Sequence, residues 1–124
     1  MDEEMAARVV RAIGSIRCGA ACTEEQLHAQ VAQALAESGL EVQHEVRLAP
    51  RCRIDFMSGG VGIEIKKRRP DRTKLIAQLT RYVACEQVQS IVVAAPRGVN
   101  LPKVIGGKRI TMVALERLWG ISLP

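Results

Sequence analysis

Asp55, Glu64 and Lys66 are the residues of this chain whose types and spacing could do chemistry. They fall in two runs of alternating character. Cys52, Ile54 and Phe56 alternate with Arg51, Arg53 and Asp55, and Val61, Ile63 and Ile65 alternate with Gly62, Glu64 and Lys66. A period of two marks strands whose two faces differ, and Ser58, Gly59 and Gly60 supply a tight turn between them. With the two glycines at the centre of the turn, Ser58 pairs with Val61. The same register sets Phe56 against Ile63, Asp55 against Glu64 and Ile54 against Ile65. The predicted hairpin has one apolar face and one face carrying Arg53, Asp55, Glu64 and Lys66, with Arg53 opposed to Lys66.

Directly opposed side chains on such a face have Cβ atoms about 4.5–5.5 Å apart, and like charges so placed destabilise a sheet. A divalent cation resolves the conflict between two converging carboxylates. Mg²⁺ prefers hard oxygen ligands and keeps several waters, so Asp55 and Glu64 are its candidate ligands. Lys66, two residues beyond Glu64 on the same face, would orient a water and balance charge on a phosphoryl group held by the ion. A solvated, charged face on a half-exposed sheet is the plain structural alternative.

The elements that must position these residues are legible around them. Met5, Val9, Ala12, Ile13 and Ile16 predict a helix over residues 2–17, broken at Gly19. Thr23 and Gln26 form a capping-box pattern for a second helix with a Leu27, Val31, Ala34 and Leu35 stripe, ended by Gly39. Val42, Val46 and Leu48 then predict a strand up to Pro50, ahead of the two strands of the hairpin. Leu75, Ile76, Leu79, Tyr82 and Val83 restore helical spacing after Pro70, to about Cys85. "QSIVVAAP" and "KRITMVAL" predict two further strands, the first containing a continuous apolar run suited to a buried position. The expected order is α-α-β-β-β-α-β-β, an α/β domain with helices around one mixed sheet.

At 124 residues and 48% hydrophobic content the chain can bury one core. The expected organisation is a single domain over 1–124, with a helical extension at 1–22, a core at 23–96, and a C-terminal strand and tail at 97–124. Phe56, Tyr82 and Trp119 are its three aromatic residues, which disfavours a row of base-stacking platforms. Residues 1–50 hold four basic against eight acidic side chains, and residues 51–124 hold fourteen against five. A second half of net charge +9 suits a phosphate backbone. With no apolar run long enough to span a bilayer and no signal peptide, a nucleic-acid partner and a cytoplasmic, reducing location are expected, without a membrane. Cys18, Cys22, Cys52 and Cys85 contain no CxxC pair and are expected as reduced thiols. Cys18 and Cys22 with His28 and His44 match no usual zinc spacing.

"RID" at residues 53–55, nine residues before "EIK" at 64–66, between a capped helix and a helix bearing "QLTRY", resembles the PD-(D/E)XK nuclease superfamily over about residues 23–96. The resemblance implies a restriction-endonuclease-like core of order α-β-β-β-α-β. It also implies a Mg²⁺-dependent deoxyribonuclease, with Mn²⁺ able to substitute, no nucleotide cofactor, and a homodimer gripping duplex or branched DNA. Asp55 and Glu64 then look like the metal-binding carboxylates, the Ile65 carbonyl like a further ligand, and Lys66 like the lysine that positions the attacking water. Gln78 matches a glutamine found beside the active site in many members. Glu24 matches a first-helix glutamate, favoured over Glu25 because at about 100° per residue it shares the face of Leu27 and Val31. Lys67, Arg68, Arg69, Arg72, Lys74 and Arg81 would grip flanking phosphates. Ile54 stands where the motif's proline would be, which leaves the subgroup open. The reading from another class is a non-catalytic DNA-binding or scaffold module with the same fold.

Overall fold

The computed structural model describes residues 2–17 and 22–115. Its elements are α1 (Asp2–Gly14), α2 (Glu24–Glu37), β1 (Gln43–Ala49), β2 (Cys52–Ser58), β3 (Val61–Ile65), α3 (Arg72–Val83), β4 (Ser90–Ala95), β5 (Val104–Ile105) and β6 (Lys108–Ala114). The expected order holds with one addition, the two-residue β5, which forms a hairpin with β6 across Gly106 and Gly107. α1 stops at Gly14, three residues short of the predicted end, and the Ser15 hydroxyl donates to the Ala12 carbonyl there. Gly19 and the tail beyond residue 115 lie outside the described residues.

The local signals act as their chemistry requires. The Thr23 hydroxyl accepts the Gln26 N–H while the Gln26 side chain accepts the Thr23 N–H, so two otherwise orphaned donors at the start of α2 are satisfied reciprocally. At the other end Gly39 takes φ +79°, and the Gly39 and Leu40 amides donate to the Ala36 and Leu35 carbonyls, a Schellman closure. Asp71 caps α3 by accepting the Lys74 N–H.

The six strands form one mixed sheet in the order β1-β2-β3-β4-β6-β5. β1, β2 and β3 are antiparallel neighbours, β3, β4 and β6 run parallel, and α3 makes the crossover from β3 to β4. α1 and α2 cover one face with Val9, Ile13, Leu27, Val31 and Leu35 against Phe56, Ile63, Ile65, Val92 and Ala94. α3 covers the other with Leu75, Leu79 and Tyr82 against Ile54, Met57, Ile91 and Val93. β4 lies between both layers, which is why all six of its residues are buried. The chain is thus an α/β three-layer fold, and among the described residues no helix is long and apolar enough to cross a membrane.

The thiol expectation is corrected in part. Cys52 and Cys85 are free, but Cys22 is disulfide-bonded. His28 and His44 meet each other across α2 and β1, with no cysteine joining them in a zinc set among the described residues.

Candidate functional site

The hairpin register is as the turn predicts for Ser58–Val61, Met57–Gly62 and Phe56–Ile63, with Gly59 at φ +58° in the turn. There the ladder stops. Asp55 and Glu64 are not a paired rung; instead Asp55 Oδ2 accepts the Ile65 N–H at 2.8 Å, a carboxylate taking a bond the neighbouring strand would otherwise supply. Nor does Arg53 face Lys66: it pairs with Arg47 of β1.

The single apolar face expected for Ile54, Phe56, Ile63 and Ile65 is corrected as well. Phe56, Ile63 and Ile65 pack under α1 and α2, whereas Ile54 packs with Met57 under α3. Ile54 and Met57 are three residues apart on one face, so the alternation breaks between them, at Asp55. The partner strand breaks at the same level. His44 pairs with Phe56 and stacks on its ring, centroids 4.5 Å apart, while Val46 pairs with Ile54 beneath α3. Between His44 and Val46, Glu45 takes φ +55°, a left-handed conformation unusual for a non-glycine residue. Both strands therefore turn over at Glu45 and Asp55, and the carboxylate of Asp55 is delivered to the gap that opens beside β3. Gly62 completes the device: a Cβ at that position would lie 2.6 Å from Ile54 Cδ1.

Glu64 points to the α3 side and is held from three directions. Tyr82 OH lies 3.0 Å from Oε1, Gln78 Nε2 lies 3.2 Å from Oε2, and Lys66 Nζ lies 3.2 Å from Oε2. Gln78 works as a clamp, since its Oε1 accepts Lys66 Nζ at 3.0 Å while its Nε2 also donates to the Tyr82 hydroxyl at 2.8 Å. That hydroxyl has one proton, shared between Glu64 and the Arg53 carbonyl at 2.9 Å. Gln78 thus lies beside Glu64 and Lys66, the neighbourhood that the resemblance implied for it, and Tyr82 joins it as a candidate site residue that the sequence marked only as core.

Burial is the largest influence on both carboxylates and raises both above the ordinary range. For Asp55 it is partly offset by the Ile65 N–H, then by His28 and Lys66. For Glu64 the charge of Asp55 adds to it, and Lys66 and Tyr82 oppose it. Burial, then the neighbouring Glu64 charge, pushes the Tyr82 phenol up, so it acts as a neutral donor. Two carboxyls made reluctant to ionise by burial, with Asp55 adding to the effect on Glu64 and Glu24 to that on Asp55, favour any cation that can replace their protons.

Asp55, Glu64, Ile65 and Lys66 line a cleft of about 510 Å³, together with Glu24 and with Lys67, Arg68 and Arg69 of the basic run. Glu24 stands at its rim, 69% exposed, while Glu25 is not part of the cleft wall. Arg72 donates to the Asn100 carbonyl, and Arg72, Lys74 and Arg81 lie outside the cleft lining on exposed positions of α3.

His28 is a second residue that spacing alone did not assign to the cleft. It reaches from α2 to the carboxylates, and its buried Nε2 has no hydrogen-bond partner. It lies 3.9 Å from both Asp55 Oδ2 and Glu24 Oε2. That separation is too long for a hydrogen bond and shorter than twice a metal–ligand bond of about 2.1 Å. Its signal in the sequence is its place one helical turn after Glu24. Among the described residues no three His, Cys, Asp or Glu side chains are already closed around one point. The donors that could hold a divalent ion are Asp55, Glu64, the Ile65 carbonyl and His28, with Glu24 in reach of His28. No family model, curated protein or solved structure gives a significant match to this chain.

Proposed function

We propose that the chain is a divalent-metal-dependent nuclease, an endonuclease acting on DNA phosphodiesters, built on a restriction-endonuclease-like core formed by α2, β1, β2, β3, α3 and β4. The observation that carries this reading is the convergence at one cleft of two burial-raised carboxylates, a clamped lysine and a run of basic residues. A binding surface alone has no use for carboxylates beside its phosphate grip.

Mg²⁺, with Mn²⁺ as a substitute, would be held by Asp55, Glu64 and the Ile65 carbonyl, with His28 and Glu24 at hand. When bound it supplies the charge that lowers the pKa of water and neutralises phosphoryl oxygens. The protein's own groups do the rest. Lys66, kept in place by Gln78 and Glu64, orients the attacking water and faces the non-bridging oxygen. Gln78 and Tyr82 position Glu64 and Lys66 and touch no substrate. Residues 67–69 hold the flanking phosphates, a contact independent of sequence and sensitive to salt. A small domain of this kind grips a duplex or branched DNA best as a homodimer.

The test is cleavage of plasmid, linear, single-stranded, flapped and four-way-junction DNA with Mg²⁺ or Mn²⁺, beside Asp55→Ala and Lys66→Ala. Cleavage abolished in both variants, with DNA binding retained, is the expected result. Wild-type protein that binds DNA and never cuts it would transfer the assignment to a non-catalytic binding module.

A further inference from the structure

The hairpin of β1 and β2 carries charges that folding does not call for. Arg47 and Arg53 are direct cross-strand partners, and like charges so opposed destabilise a sheet. Both are exposed, and among the described residues the one carboxylate within ion-pair distance of either is Glu45, 3.8 Å from Arg53. Arg51 adds a third cation at the tip. It occupies the two-residue turn between Ala49 and Cys52 with φ +61°, a backbone state that suits glycine and strains a side-chain-bearing residue. An arginine there works against the turn.

The placement of Arg47 and Arg53 follows from the turnover at Glu45 and Asp55. Beyond it Val46 and Ile54 face α3, so Arg47 and Arg53, one residue further along each strand, face the opposite side. This is the side from which His28 approaches Asp55. The N-terminal part of β2 and the C-terminal part of β3 leave their last ladder pair as two prongs, with the carboxylates between them. The β3 prong continues into Lys66 and residues 67–69. The β2 prong carries Arg53, with Arg47 beside it and Arg51 at its end.

We propose that the β1–β2 hairpin is a second contact for the nucleic-acid backbone, in which Arg47, Arg51 and Arg53 take phosphates on the side of the cleft away from residues 67–69. The proposal rests on the nuclease reading for its partner and extends it to the path of the strand: the backbone crosses the carboxylates from one prong to the other.

The experiment measures binding of the full chain to a fluorescein-labelled 30-base-pair duplex by anisotropy, in EDTA so that no cleavage occurs, across a series of NaCl concentrations. Each lost phosphate contact reduces the slope of log K against log salt by about 0.9, equivalent to about eightfold in affinity at 0.1 M relative to 1 M salt. Arg47→Gln with Arg53→Gln is expected to reduce the slope by about 1.8 and weaken binding roughly 60-fold at 0.1 M. Arg51→Gly is expected to reduce it by about 0.9 while melting at an equal or higher temperature, which separates binding from folding. Lys103→Gln with Arg109→Gln removes the same charge from the opposite edge of the sheet and serves as the control. Hairpin variants that bind with the control's affinity and slope overturn the proposal, and a lowered melting temperature with unchanged slope identifies the arginines as structural. Wild-type protein that binds no DNA at all overturns the nuclease reading along with it.

Discussion

Removing the Tyr82 hydroxyl tests the site at the point where fold and chemistry meet. In Tyr82→Phe the ring keeps its packing under the sheet, so the change is confined to one oxygen. That oxygen accepts from Gln78 Nε2 at 2.8 Å and shares its proton between the Arg53 carbonyl at 2.9 Å and Glu64 Oε1 at 3.0 Å. Its loss strands one Gln78 N–H and one acceptor, at about 1–3 kcal/mol for each unsatisfied buried group. Water entering the part-buried side returns some of this, leaving about 2–3 kcal/mol. At this chain length a kcal/mol moves Tm by about 3–5 °C, so a fall of about 6–15 °C is expected. There is a second consequence. The Tyr82 hydrogen bond favours ionised Glu64, so without it burial and Asp55 raise the Glu64 carboxyl further. On the proposed metal-dependent reading, Mg²⁺ would then have to displace a more tightly held proton, and the rise in Tm expected on adding Mg²⁺ would move to higher pH. Urea unfolding gives the first quantity and Mg²⁺-dependent thermal melts from pH 5 to 8 give the second. Stability within about 0.5 kcal/mol of wild type, with an unshifted Mg²⁺ response, would refute the clamp.

Further outcomes follow from other contacts. Asp55 and Glu64 have folded-state pKa values above their unfolded ones, so the metal-free protein binds more protons folded than unfolded in that interval. Their contribution to stability is complete below about pH 4, the unfolded range, and is lost as pH rises through the folded values. Urea midpoints in EDTA should fall over that window, less steeply in Asp55→Asn, and Mg²⁺ should restore them; equal slopes in the two proteins would show that Asp55 has no part in it. Gly62→Ala puts a Cβ against Ile54 Cδ1 and should cost about 1–3 kcal/mol of unfolding free energy, through displacement of Ile54 or of β3. Asp71→Ala removes the acceptor of the Lys74 N–H at the start of α3 and should cost about 1 kcal/mol by the same measurement, with no change in Mg²⁺ response.

The elements were legible where a local signal coincided with the tertiary requirement. Thr23 and Gln26 cap α2, Gly39 closes it, and Gly59 with Gly60 sets a register that holds for three successive pairs. The register failed at Asp55 because alternation reports which residues differ and not when a strand turns over. No residue type announces that Glu45 will adopt a positive φ, and the same binary pattern fits Ile54 on either face. His28 and Tyr82 were hidden for another reason. Their roles depend on partners from other elements, Asp55 for His28 and Arg53 with Glu64 for Tyr82, and each also fills an ordinary structural place. β5 escaped because two residues carry no periodicity, although the positive-φ glycines after it mark a turn.

The turnover at Glu45 also governs how this protein can meet copies of itself. β1 is an outer strand of the sheet, and an outer strand of seven residues with a regular row of free amides and carbonyls invites another chain to add on. A left-handed residue at its third position interrupts that row, and the cation pair beyond it repels an identical neighbour. At the opposite margin β5 offers two residues, too few to template a partner. With both margins of the described sheet blunted, sheet extension between the described strands is disfavoured as a route to aggregation and equally as a route to a dimer, which turns attention to helix surfaces and the faces of the hairpins as the places where a second copy would pair.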